Sequence, residues 1–229
     1  MKRCMQIVFL LFSLGTMAQS DFEKGEQWFK AQKWEQAKVC FEKSLREQPN
    51  APKTIEYLGD IAGKQEDWDA AIDRYGTLKS RFPNNANYWY KYGGAMGMKA
   101  KSVSKFKALG LIDDVEAAFL KAAQLDAKHV DTRWALVMLY LELPGILGGS
   151  ENKAIKYANE LMGISKVDGF MAKGYIDEYF KRYTKAEAHY LKAHEIGHSK
   201  TTYQKLYHLY QYKLKNTEKA RKLKEEFEG

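Results

Sequence analysis

His194-Glu195-Ile196-Gly197-His198 is the stretch of this sequence that comes nearest to a catalytic signature. Two histidines one helical turn apart can bind zinc, with the glutamate between them as general base for peptide hydrolysis. That chemistry needs both imidazoles on one face of a continuous helix and a third ligand close by. Gly197 weakens a helix where it must be firm. Thr201 and Gln204 stand where the metzincin spacing requires glycine and histidine. His208 and Glu218 are the remaining third-ligand candidates, and no gluzincin motif surrounds either. A metallopeptidase on His194, Glu195 and His198 is thus the minor reading, and adventitious zinc held by His189, His194 and His198 is a second. The sequence has no Gly-x-Ser-x-Gly, P-loop or dinucleotide fingerprint and no paired-cysteine spacing. The expectation is a chain that is not an enzyme and needs no cofactor or metal.

The elements that would have to position such residues are set by a repeat. Gly25, Trp34, Ala37, Phe41 and Pro49 return 34 residues later as Gly59, Trp68, Ala71, Tyr75 and Pro83. Gly174, Tyr183, Ala186, Tyr190 and Ala193 repeat the pattern, as do Gly93 and, after an insertion, Val115, Phe119, Ala122 and Ala127. A small residue, an aromatic, an alanine and another aromatic form a packing code for two antiparallel helices. A 34-residue period with this content resembles the tetratricopeptide repeat over nearly all of the chain after residue 19. The resemblance implies an all-α, right-handed α-solenoid of about six antiparallel helix pairs.

The pairs are predicted at about 20–49, 52–83, 86–127, 130–166, 167–198 and 201–227, forming one domain over 19–229. Two of them carry insertions. In the third, residues 99–111 add about nine residues, and Val103, Phe106, Leu109 and Ile112 recur near helical spacing, which predicts a helical extension. Glycines 93, 94 and 97 would each cost the preceding helix roughly 1 kcal/mol, so something should pack on that stripe, with the extension nearest. In the fourth, residues 143–150 contain Pro144, Gly145, Ile146, Leu147, Gly148 and Gly149. Ile146 and Leu147 at the tip of a turn require local burial or a partner. This element, after an Arg-Trp helix and a Gly-Gly-x-x-Gly helix, is similar to one in a group of exported bacterial tetratricopeptide proteins with no established activity. The heavily charged last helix predicts a polar cap on the solenoid.

Lys2 and Arg3, the apolar run Ile7–Phe12, and small residues at Thr16 and Ala18 predict a signal peptide over 1–18, with Gln19 first in the mature chain. The run is too short to span a bilayer, and no later segment comes near that length. Cys4 precedes the run, so it cannot be a lipidated first residue, and Cys40 would then stand alone. Without Lys2 and Arg3 the charge of +8 falls to +6, from 35 basic and 29 acidic residues. Lys99, Lys101, Lys105 and Lys107 have no acid among them, and a solvated helical face accounts for that. Nucleic acid is not an expected partner.

In the family that the repeat resembles, the first helix of each pair lines a concave groove. Projecting the register places Glu56, Asp60, Tyr90, Trp134, Met138, Met171, Tyr175, Tyr179, Leu209 and Tyr212 toward it. Glu56, Asp60 and Gly94 stand where chaperone-binding members carry a lysine–asparagine clamp for a terminal carboxylate, so that clamp is absent. An aromatic and Met-rich groove suits an apolar or extended peptide. The expectation is an exported, non-catalytic scaffold for a protein or peptide partner in the cell envelope, periplasmic or secreted, with envelope glycan as an alternative ligand.

Overall fold

Short amphipathic helices of this kind are marginal alone in water and depend on burying their apolar stripes against neighbours. The computed structural model describes residues 19–228 and shows how they do so. Helices α1 (Asp21–Lys30) and α2 (Trp34–Glu47) form the first antiparallel pair, and α3 (Pro52–Lys64) and α4 (Trp68–Arg81) the second. The third is α5 (Ala86–Ser102) with α6 (Lys105–Leu125), and the fourth α7 (Val130–Glu142) with α8 (Glu151–Ile164). Then follow α9 (Lys166–Tyr179) with α10 (Tyr183–Gly197), and α11 (Lys200–His208) with α12 (Thr217–Glu228). The described residues contain no strand, and consecutive pairs stack as an α-solenoid. The predicted signal peptide lies outside the described residues.

The repeat code has a direct physical meaning. A Cβ on Gly25 would come within 2.7 Å of the Phe41 ring, and one on Gly59 equally close to Tyr75. Gly174 stands in the same relation to Tyr190. The glycine of the first helix is therefore bare so that the aromatic of the second can lie on its backbone. Phe41, Tyr75 and Tyr190 are buried there, beside Ala37, Ala71 and Ala186. Polar contacts between pairs recur at a slightly shorter interval. Tyr57 donates to Glu26 (2.9 Å), Lys91 to Asp60 (2.6 Å) and Arg182 to Glu151 (2.6 Å), each spanning 31 residues. With a period of 34, each contact joins a side chain to the position one helical turn earlier in the next pair.

The third pair absorbs its insertion as helix. Its α5 has 17 residues and its α6 has 21, against 13 and 14 in α3 and α4. Lys99 pairs with Asp69 behind it, and Lys101 with Glu142 ahead of it at 2.6 Å, so the lengthened hairpin is tied to both neighbours. The glycine stripe is not covered by that extension, contrary to expectation. Ala118 and Phe119 pack on Gly93 and Val115 on Gly97, all from the body of α6, whereas a Cβ on Gly94 would meet nothing within 4 Å.

In the fourth pair, Pro144 ends α7 and a 3₁₀ turn spans Gly145–Leu147. Gly148 takes a left-handed φ of 91°, and any Cβ on Gly149 would collide with the Leu143 carbonyl oxygen. The Gly149 amide donates to Pro144 O (3.1 Å) and the Ser150 amide to Tyr140 O (2.9 Å), which closes the loop on itself. Arg133, buried, fixes the approach to this pair. It donates to Asp126 O (2.6 Å) and Ala123 O (3.1 Å) at the end of α6 and reaches Glu160 on α8.

Candidate functional site

The bare Gly94 opens into a groove of about 540 Å³ bounded by α4, α5, α6 and α7. Tyr90, Gly94 and Met98 form one stripe of α5 at intervals of four residues, and Met138 of α7 faces the same space. Trp68 and Tyr75 of α4 and Ile112 of α6 complete an apolar lining. Charges stand at its two ends. Toward the second pair, Lys91 lies between Glu56 (2.7 Å) and Asp60 (2.6 Å), and Asp60 also accepts from the Tyr75 hydroxyl at 2.6 Å. Burial alone would lower the Lys91 pKa, but Asp60 and Glu56 outweigh it and hold the ammonium above its ordinary value. Burial and Asp60 likewise push the Tyr75 phenol up. Toward the fourth pair, the Lys101–Glu142 bridge closes the edge. The result is a mostly apolar trough with ion-paired charges at its two ends.

Only part of the predicted groove set meets here. Tyr90 and Met138 line the trough, and Met138 is 40 % exposed. Met171 and Leu209 are instead core residues, 7 % and 0 % exposed. Met171 on α9 and Leu209, the first residue of a π-helical turn over Leu209–Lys213 that follows α11, share one cluster with Tyr190 of α10 and Leu223 of α12. Trp134 is half-buried between the fourth and fifth pairs, with Nε1 donating to Asp168 at 2.9 Å and its ring edge-on to Tyr175. Lys205 lies over the Tyr175 ring at 5.3 Å. Tyr179 packs edge-on to Phe180, and Tyr212, 63 % exposed, lies beside His208. Glu56 and Asp60 are engaged by Lys91. Register projection missed Trp68, Tyr75 and Ile112 because it considered the first helix of each pair alone. The Tyr90-Gly94-Met98 stripe was the available signal, since a bare glycine between two large apolar residues on one face marks a recess.

The His-Glu-x-x-His segment does not form the geometry that zinc chemistry requires. Helix α10 ends at Gly197, and His198 is its left-handed cap with φ 40°. The two imidazoles meet edge-on, with ring centres 5.8 Å apart. His194 Nδ1 lies 3.0 Å from the Thr202 hydroxyl, and burial together with His198 holds its pKa below the ordinary value. His189 turns away to Asp177 at 2.9 Å. Among the described residues, no group of three His, Cys, Asp or Glu is placed to hold a metal ion.

Solved structures define the class to which this architecture belongs. A thermophilic tetratricopeptide-repeat protein of Thermus thermophilus, TTC0263, superposes with a TM-score of 0.65 at 17 % identity, over 79 % of this chain and 92 % of that one. PilW, described as a widely conserved type IV pilus biogenesis factor, gives 0.66 at 14 % identity over 90 % of both chains. YrrB, described as a tetratricopeptide-repeat protein with an unusual peptide-binding site, gives 0.52 at 16 % over 80 % and 87 %. The fold is that of the tetratricopeptide-repeat proteins. No protein-family model matches the sequence, and neither does any curated protein.

Proposed function

We propose that this chain is a non-catalytic scaffold of the cell envelope, and that the trough between α4 and α7 seats an apolar segment of a partner protein. The observation that carries this reading is the recess at Gly94, roofed by no side chain and walled by Tyr90, Met98, Ile112 and Met138. Its volume falls in the range of ligand-sized sites, and Met-lined walls adapt to varied apolar shapes. The peptide-binding site reported for YrrB supports a peptide as the kind of occupant. Export rests on the charged and apolar leader of residues 1–18, and N-terminal sequencing of the mature chain beginning at Gln19 would establish it.

Gly94→Leu is the discriminating variant. Its Cβ meets nothing within 4 Å, the remainder of the side chain enters the recess, and the change removes a mid-helix glycine that costs about 1 kcal/mol relative to Ala. The variant should melt at or slightly above the wild-type temperature yet lose partners captured from cell-envelope extract, as should Met138→Glu. Tyr212→Ala, outside the trough, should retain them. A stable Gly94→Leu protein that still captures every partner would mean that the trough is not the binding site.

A further inference from the structure

The trough leaves the outer tip of the third pair without a role. Residues 99–112 carry the α5–α6 turn beyond the level reached by α3 and α4. At its end Phe106 is 87 % exposed and Leu109 46 %. The next turn along that edge, between α7 and α8, holds Ile146 at 94 % exposure. One exposed apolar side chain is ordinary on a protein surface, but two nearly bare ones at neighbouring turn tips are not. The loop at residues 144–149 is pinned by its own hydrogen bonds and glycines, so Ile146 is held outward rather than free to fold back.

Charge separates this tip from the remainder of the solenoid. No acid occurs between residues 99 and 112. Lys99 and Lys101 are matched by Asp69 and Glu142, while Lys105 and Lys107 have no ion-pair partner among the described residues. Both also lie in the first turn of α6, which contains no acid, so their charges oppose the helix dipole. Local helix stability does not account for lysines there.

We propose that this edge docks on an anionic lipid bilayer, with Phe106 and Ile146 entering the interface and Lys105 and Lys107 meeting lipid phosphates. A protein partner would need a concave complement for each separated, convex tip. A bilayer accommodates them singly, and lysine stems that flank an apolar tip can keep their ammonium groups at headgroup level. No described helix is long and apolar enough to cross a membrane, so the attachment is peripheral.

All twelve helices and their cores lie within the described residues, so the chain without residues 1–18 is the protein to test. Sedimentation with phosphatidylcholine vesicles should leave it in solution. Vesicles with about 30 % phosphatidylglycerol should carry it down, less so as salt is raised. Lys105→Gln with Lys107→Gln should weaken that partition about 30-fold, given the usual contribution of a lysine near an anionic surface. Phe106→Ser should weaken it about tenfold. Unchanged helical circular dichroism would confirm that the variants fold, as the exposure of these side chains predicts. A wild-type chain that ignores the anionic vesicles overturns the proposal and leaves the tip to a protein partner. Variants that sediment like wild type overturn it as well.

Discussion

Tyr75 and Tyr190 each press an aromatic ring onto a glycine backbone and must bring a hydroxyl into the same dry contact. Asp60 and Glu178 accept those hydroxyls at 2.6 and 2.9 Å, and Tyr140 donates to Glu116 at 2.6 Å. Burial first, and then the carboxylates, raise all three phenols, while Tyr57 beside Glu26 is pushed up to about 12. A phenol raised in the folded state costs nothing below pH 10, where folded and unfolded chains are both neutral. Above that the unfolded chain ionises first, so stability falls as pH rises from about 10 towards the folded values. The phenolate absorbance of these buried tyrosines at 295 nm should therefore appear only together with the loss of helical signal at 222 nm. Full ionisation of all 15 tyrosines with the helices intact would contradict this. Tyr75→Phe should cost about 1 kcal/mol at neutral pH, since Lys91 still satisfies Asp60, and should move the alkaline transition upward.

At the scale of elements, the two interruptions of the repeat differ in how much of them the sequence discloses. The insertion in the third pair kept helical spacing through Val103, Phe106, Leu109 and Ile112, and it became helix on both sides of a short turn: Phe106, Leu109 and Ile112 lie in α6, while Val103 is the extended residue after α5. What spacing could not disclose was the covering of Gly93 and Gly97 by α6, because that depends on how closely two helices approach. The same limit explains the groove residues. Met171 and Leu209 look like Met138 in register, and only their packing in the cluster of the last two pairs, with Leu209 in a π-helical turn that breaks the register, makes two of them core. The loop of the fourth pair announced itself by composition, yet the roles of its glycines are unequal. Gly149→Ala would drive a Cβ into backbone and should cost about 3 kcal/mol or more, and Gly148→Ala about 1–2 kcal/mol for its left-handed φ. Ile146→Ser should change stability by less than about 0.5 kcal/mol. Thermal melts of the three variants would rank them, and a costly Ile146→Ser would show that its side chain is packed rather than displayed.

For the whole molecule, a solenoid gains its stability from neighbour to neighbour, so the distribution of core along the chain decides where it opens first. The largest apolar cluster runs from Met96 through Val115, Leu136, Val137, Tyr157 and Leu161 to Ile176, which joins α5 to α9 without a break. The cluster under the first pair has four buried members, Ala37, Phe41, Leu58 and Ile61, with Phe22, Phe29, Trp34, Leu45 and Tyr57 only partly buried around them. At the other end α12 contributes Ala220 and Leu223, and Phe227 stacks on Tyr203 at 4.2 Å. The trough and the proposed docking edge both belong to the central block, so the functional surfaces would be carried by the part that opens last. Hydrogen exchange should then show α7 and α8 most protected, with α1–α2 exchanging first and α12 next. Gly25→Val, which must displace the Phe41 ring, should raise exchange in α1–α3 and leave α7–α9 unchanged. Equal acceleration in all six pairs would mean that the solenoid unfolds as a single cooperative unit, and that the ends do not shield the centre.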